Sequence, residues 1–328
     1  MRAWLIEEGS GKNGPGMQLA ETATPEPGPG EVRVRVASIG INRADLLQVQ
    51  GLYPAPPGFD PRIPGLEYAG VVDAVGEKVL NRRVGDLVMG LVPGGAYAEY
   101  VITTEREIID VPAGMEPADA AAIPEDFLTA YRALFIEGGL QTGEWAMIRP
   151  VTSGVGLAAA QLVRAVGARA VGTSRSAERL EQAKGIGLEL DLGVIDGDSG
   201  VADAVKEATG GVSVAMEMVA GDKLNDTIAS LRTEGRAVLV GLMGGRTGEL
   251  DLGAMLMGRR GIKAMTMRAQ PLEERIRVAQ IFANRLAPQF AAGRLQARIS
   301  QRYPFDDAVG AHRAMAENRH LGKIILQV

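Results

Sequence analysis

From about Glu125 onward the sequence alternates short β-prone runs with longer helix-prone ones. WAMI is followed by GVGLAAAQLVRAVG with Gly167 at its end, then ARAVGTS, SAERLEQAKG, SVAMEMV, KLNDTIASLRTEG and RAVLVGLMGG. Two strands separated by a helix of this length cannot close through a tight hairpin. They must run parallel, with the helix as the crossover. The alternation therefore implies βαβ units and a parallel, doubly wound sheet.

Upstream the rhythm is different. From Met1 to about Ile123 the β-prone runs VRVRVASIG, YAGVVDAVG and DLVMGLVPGGAYAEYVIT are broken by turns such as PEPGPGE. Short strands between Gly/Pro turns read as an all-β, barrel-like domain. From about Arg268 the alternation stops: PLEERIRVAQIFANRLAPQFAAG reads as one long helix, and the closing segment ends in the strand IILQV. A final strand with no helix after it fits best back in the first domain. At 328 residues the chain exceeds what one core sustains, a limit of about 250 to 300 residues. Two domains are expected: residues 1–124 completed by 268–328, and residues 125–267.

Composition excludes several functions. Net charge is −5 and no Lys/Arg-rich block is present, so neither a nucleic acid nor an acidic membrane surface is an expected partner. The apolar runs fall short of the roughly 18 to 20 residues of a membrane span, and MRAWLIEEGS has neither the basic start nor the apolar core of a secretion signal. A cytoplasmic protein is expected. There is no Cys, and His312 and His320 are the only imidazoles, so no metal site is expected and each His is read as capping or decorating a helix. The 13 Met read as core filler. Within MLMGRRGIKAMTM, however, an apolar strand could pair across a dimer axis, and a homodimer is expected.

The stretch IRPVTSGVGLAAAQ, Ile148 to Gln161, follows a strand and opens a helix. In the three-glycine dinucleotide fingerprint one glycine makes the turn, one admits the pyrophosphate and one packs helix on strand. Here Val151, Ser153 and Gly156 hold those places. The helix start still offers free N–H groups and the positive end of the dipole, and Ser153 and Gly154 are small. A phosphate can therefore be held there.

The segments NRADLLQVQGLYPAPPG, IPGLEYAGVVDAVG, LVPGGAYAEYV, AAIPEDFLTAYRAL, VTSGVGLAAAQL, VLVGLMGG and GKIILQV occur in that order and span essentially the whole chain. Together they resemble the medium-chain dehydrogenase/reductases of the zinc-independent, zeta-crystallin-like quinone oxidoreductase type. The resemblance implies an α/β fold: a GroES-like, β-rich catalytic domain into which a Rossmann domain is inserted. It also implies a cleft in which NADPH reduces quinones or other conjugated carbonyls. Zinc-using cousins place Cys/His ligands near the first helix and in a GHE motif. Here those places read NRAD and GLEY, and Leu66 cannot bind a metal.

Carried over residue by residue, the pattern puts Asn42, Asp45 and Tyr53 on the nicotinamide and substrate side. Tyr53 would donate to the oxygen that becomes anionic, Asn42 would be its neutral partner, and Asp45 would orient the loop. Tyr53 is also free to do no more than pack against the neighbouring prolines. The cofactor would meet Thr129, then Ser153, Gly154 and Val155 in the phosphate turn, and Ser174 with Arg179 at the adenosine ribose. Gly241, Leu242 and Met243 would lie near the nicotinamide ribose, with Asn318 and Lys323 in the returning tail. Val151, Pro150, Glu217 and Ala220 depart from the family pattern, and no aromatic stands ready to stack on adenine in ELDLGVIDGD.

The choice of cofactor rests on AVGTSRSAERL. An NADH enzyme places Asp or Glu about 20 residues past the glycine turn, where it accepts from the ribose 2′-hydroxyl. Here Ser174 and Arg175 stand 18 and 19 residues after Gly156, with no carboxylate before Glu178. A hydroxyl and two guanidiniums, from Arg175 and Arg179, suit the extra phosphate of NADPH. Two other functions fit the same fold: reduction of an enoyl thioester, and a NADPH-binding structural or sensing protein with little turnover.

Overall fold

The computed structural model describes residues 1–7, 16–197 and 200–328, and the chain divides into two compact units, Met1–Glu125 with Met267–Val328 and Asp126–Thr266. The first unit opens with a small antiparallel pair, β1 (Arg2–Ile6) and β2 (Met17–Glu21). Then come β3 (Glu31–Ile41), β4 (Glu67–Val75), β5 (Leu87–Leu91), β6 (Tyr100–Thr104) and β7 (Ile109–Asp110). β3 is organised by its alternation, with Val32, Val34 and Val36 buried while Arg35 is exposed, the period of two that puts one face on a core.

The second unit is a six-stranded parallel sheet of β8 (Trp145–Arg149), β9 (Arg169–Ser174), β10 (Leu192–Ile195), β11 (Val212–Glu217), β12 (Leu231–Leu239) and β13 (Gly261–Ala264). Its order is β10-β9-β8-β11-β12-β13, with every pairing parallel. The chain therefore runs outward in one direction from β8 and in the other from β11, and the strand order reverses between these neighbours. In doubly wound sheets the carboxyl ends of the strands on either side of such a reversal are where ligands bind. β11 is buried along its whole length, as expected of a central parallel strand covered on both faces.

The chain then returns to the first unit, adding β14 (Ile299–Pro304) and β15 (Lys323–Gln327). β15 runs antiparallel to the second half of β3, with Ile41 opposite Ile324 and Ser38 opposite Gln327. The first half of β3 pairs instead with β6, Glu31 opposite Thr104 through Arg35 opposite Tyr100. The closing strand thus sits in the first unit's sheet, ordered β14-β15-β3-β4-β5-β7. Its core gathers Val32, Val34, Ile39, Tyr68, Tyr97, Phe305 and Leu326.

The structure redraws one element. KLNDTIASLRTEG reads as a single helix, but the helix stops at Ala229 and Leu231 already belongs to β12. Ser230 Oγ donates back to the Asp226 carbonyl at the helix end. β12 then shifts register against β11 between Val212 and Val214, and Glu234 takes a positive φ of 62°. The polar residues that gave the segment its helical look are the irregular part of a strand. PLEERIRVAQIFANRLAPQFAAG does form continuous helical structure, Leu272–Ile281, a π-helical turn at Phe282–Leu286 and Ala287–Ala291.

Candidate functional site

In the first unit the expected substrate-side residues follow directly from β3. Asn42 caps the helix Arg43–Val49, and the Asp45 carboxylate accepts the Asn42 backbone N–H at 2.8 Å. An acid in the first turn satisfies a free donor and faces the positive end of the dipole. The Asn42 amide donates to Glu67 Oε1 at 2.8 Å and accepts from Lys323 Nζ at 2.7 Å, while Lys323 and Glu67 form an ion pair. Glu67 also accepts the Glu125 N–H at 2.8 Å. All three side chains are buried, so the amide of Asn42 is held in one orientation by a charged group at each end.

A second chain of contacts starts at Asp45. The Tyr97 hydroxyl donates to Asp45 at 3.1 Å and lies 3.0 Å from His312 Nε2, and the two rings meet edge to face with centroids 5.5 Å apart. Asp45 Oδ1 and His312 Nδ1 are buried without a partner. Burial pushes the Asp45 carboxyl up to about 7, against the opposing pull of the Asn42 N–H, Arg268 and Tyr97. Burial likewise pushes the His312 imidazole down to about 4, so it is neutral, and raises the Tyr97 phenol well above its ordinary value. His312 lies on the helix Ala308–Ala316 but points into the core rather than decorating the surface.

Tyr53 is half-buried, and burial raises its phenol above the ordinary value. The Arg268 guanidinium stacks over its ring, 4.8 Å from the centroid. Asn318 takes a positive φ of 56° and accepts from Arg43 at 2.5 Å. Lys323 and Asn318 are thus both tied to first-unit side chains.

In the second unit the turn after β8 caps the helix Gly154–Ala165. Ser153 Oγ accepts the Gly156 N–H at 3.0 Å and donates to the Pro150 carbonyl at 3.2 Å, so its hydroxyl is committed within the turn. A Cβ at Gly154 would fall 2.3 Å from the Asp126 carboxylate. At Gly156 a Cβ would fall 2.4 Å from the Pro150 carbonyl. Both positions need glycine for close packing although the usual fingerprint is broken. Val155 lies between them, half-buried, and Thr129 is buried on the helix Pro124–Tyr131.

Ser174 ends β9 and is buried, Arg175 is exposed, and Arg179 is half-buried. Ser176 caps the helix Ala177–Gly185, its hydroxyl accepting the Arg179 N–H at 3.3 Å. The Arg179 guanidinium is pushed below its ordinary value by burial and then by the charge of Arg175. Gly241, Leu242 and Met243 follow β12, the last two side chains exposed, and the Met243 N–H donates to the Met218 carbonyl beyond β11 at 3.2 Å.

Sequence reasoning missed the fully buried Arg149 at the end of β8. It binds Asp196 at 2.6 and 2.8 Å, Asp226 at 3.0 Å and Thr227 at 2.9 Å. Glu217, a departure from the family pattern, accepts from Thr227 and from the Ala220 N–H at 2.9 Å. The only signal in the sequence is an arginine closing an apolar strand. Among the described residues no group of His, Cys, Asp and Glu could hold a metal ion, and no helix is long and apolar enough to cross a membrane.

Residues 28–113 match the family model for the alcohol dehydrogenase GroES-like domain, and residues 154–283 match that for zinc-binding dehydrogenases. The synaptic vesicle membrane protein VAT-1 homolog of Rattus norvegicus is 32% identical over 329 residues, covering 94% of this chain and 80% of that protein. A phthioceranic/hydroxyphthioceranic acid synthase of Mycobacterium tuberculosis is 32% identical over 321 residues, covering 95% of this chain but 15% of that protein. Among solved structures, the Escherichia coli quinone oxidoreductase complexed with NADPH superposes with a TM-score of 0.86 at 26% identity, over 100% of this chain and 99% of that one. An NAD-dependent alcohol dehydrogenase superposes at 0.87 and 27% identity, over 100% of each chain.

Proposed function

Because the chain belongs to the zeta-crystallin-like branch of the medium-chain dehydrogenase/reductase superfamily, we propose that it is a zinc-independent reductase that uses NADPH to reduce quinones or related conjugated carbonyls. The observation that carries the choice of cofactor is the sequence closing β9 and opening the next helix, which supplies Arg175 and Arg179 and has no Asp or Glu between Gly156 and Glu178 to accept from a ribose hydroxyl. The helix Gly154–Ala165 begins directly after β8 and the Ser153 turn, and its N-terminal end, with free N–H groups and the positive end of the dipole, suits a pyrophosphate. NADPH, when bound, supplies the hydride.

What remains for the protein is to hold the acceptor and to stabilise the oxygen that becomes anionic. Tyr53 is the donor in this reading, since a phenol that burial keeps protonated can give a hydrogen bond at neutral pH. Asn42, fixed by Glu67 and Lys323, offers a second, neutral contact, and Asp45 holds the start of the helix in place. Tyr53→Phe is expected to slow enones by about 100-fold while sparing readily reduced quinones, for which less charge needs stabilising. Unchanged kcat/KM for both would reduce Tyr53 to a packing residue.

The match to a synthase named for an acyl product keeps enoyl-thioester reduction as the second reading. Steady-state assays with NADPH and NADH against quinones, simple enones and a crotonyl thioester separate the two. Negligible turnover throughout, with NADPH still bound, would favour a structural or sensing role. The same reading places the protein in the cytoplasm, acting on small molecules as a homodimer. Supporting the dimer, β13 forms one edge of its sheet, and the helix Leu252–Gly258 leaves Leu252, Leu256 and Met257 exposed at 70%, 77% and 81%.

A further inference from the structure

Arg268 is 4% exposed, yet among the described residues its guanidinium forms no ion pair. A buried cation is costly unless it is matched. Its contacts are with neutral groups: Nη1 donates to the Tyr53 carbonyl at 2.5 Å, Nη2 donates to Gln48, and the plane stacks on the Tyr53 ring. Nε has no partner. Asp45, Tyr53 and Glu125 are the acidic groups whose charge bears on it. The Asp45 carboxyl, held near 7, is only partly ionised at neutral pH and offsets only part of the guanidinium charge.

We propose that Arg268 is a positioning residue for Tyr53, fixing the backbone and ring that carry the phenol and offsetting the negative charge that gathers on the phenol oxygen when it donates to the reduced acceptor. If the proton passes over, the O–H bond of Tyr53 breaks and one forms on the substrate oxygen. The electron pair stays on the phenolate beside Arg268, and water restores the proton. The two electrons of the reduction come with the hydride. A buried guanidinium stacked on this half-buried ring is screened by water less than a surface cation is, so it offsets charge on the phenol oxygen more strongly. This inference rests on Tyr53 as donor in its kinetic part alone.

The test is a near-ultraviolet pH titration of the ligand-free protein, with Tyr53→Phe subtracted to isolate the one phenol. It is run on the parent, Arg268→Gln and Arg268→Lys beside kinetics with an enone. Arg268→Gln is neutral but can still donate to the Tyr53 carbonyl. It is expected to move the Tyr53 titration upward and to lower kcat about tenfold or more, with a smaller change in KM. Arg268→Lys, which keeps the charge, is expected to leave the titration near the parent's. In the Tyr53→Phe background Arg268→Gln is expected to cost little more. An unmoved titration in Arg268→Gln, or an equal loss of kcat with and without the phenol, overturns the proposal. Should Arg268→Gln fail to fold, a titration raised in Arg268→Lys overturns it and an unmoved one upholds it. Full activity in Tyr53→Phe removes the donor role instead, and the titration still reports whether Arg268 acts on the oxygen.

Discussion

At position 45 a carboxyl group that caps a helix also ends in a buried, unpartnered oxygen. Its value in the folded protein, about 7, lies above the ordinary 3.8. The folded state therefore holds the proton more tightly than the unfolded chain does. The stability this contributes is complete below about pH 4 and is lost as pH rises through about 7. Asp45→Asn removes that dependence. Urea midpoints from pH 4 to 7 are expected to show the variant gaining on the parent by a few kcal/mol, and a constant difference would refute the argument. His312, depressed to about 4, has the opposite sign: its contribution is present above about 6.5 and lost as pH falls toward 4. Arg175→Ala and Arg179→Ala are each expected to raise KM for NADPH about tenfold while leaving KM for NADH in place. Equal values for both cofactors in the parent would remove the premise. Asn42, Asp45 and Tyr53 stood out in the sequence because the segment NRADLLQVQGLYPAPPG resembles the family pattern there. Glu67, Tyr97, His312 and Arg268 did not, because their contacts bridge separations such as the 215 residues between Tyr97 and His312 or between Tyr53 and Arg268.

Strands and helices were most legible where periodicity and punctuation agreed, as in β8, the helix after it and β9, with Gly167 at φ 73° past the helix end. They were least legible where a bulge interrupted the pattern, as in β12, or where a strand had only four residues, as in β10 and β13. β13 also carries the prediction at this scale. Its pairing to β12 uses one edge, among the described residues no strand pairs with the other, and the helix Leu252–Gly258 that precedes it in the chain carries exposed apolar residues. An edge of this kind invites pairing with a second copy about a two-fold axis. Light scattering is expected to give twice the chain mass for the parent and the single mass for Leu256→Glu combined with Met257→Glu. The same mass for both proteins would exclude this edge as the contact.

For the molecule as a whole, the absence of cysteine and of any metal-holding cluster among the described residues predicts turnover that survives exhaustive dialysis against a chelator. Activity lost on dialysis and restored by zinc would contradict it. The return of the chain to β3 has a consequence for how the protein is made. Asn42, Asp45 and Glu67 leave the ribosome early, but Arg268, His312 and Lys323 follow only after all of Asp126–Thr266 has emerged. The nascent first unit must wait with the β15-pairing half of β3 uncovered and Glu67 lacking its cation. The nascent second unit, contiguous in the chain, is under no such constraint. During translation the order of assembly is therefore the reverse of the order of synthesis: the part begun first is the part finished last, and its polar centre closes only with the arrival of Lys323.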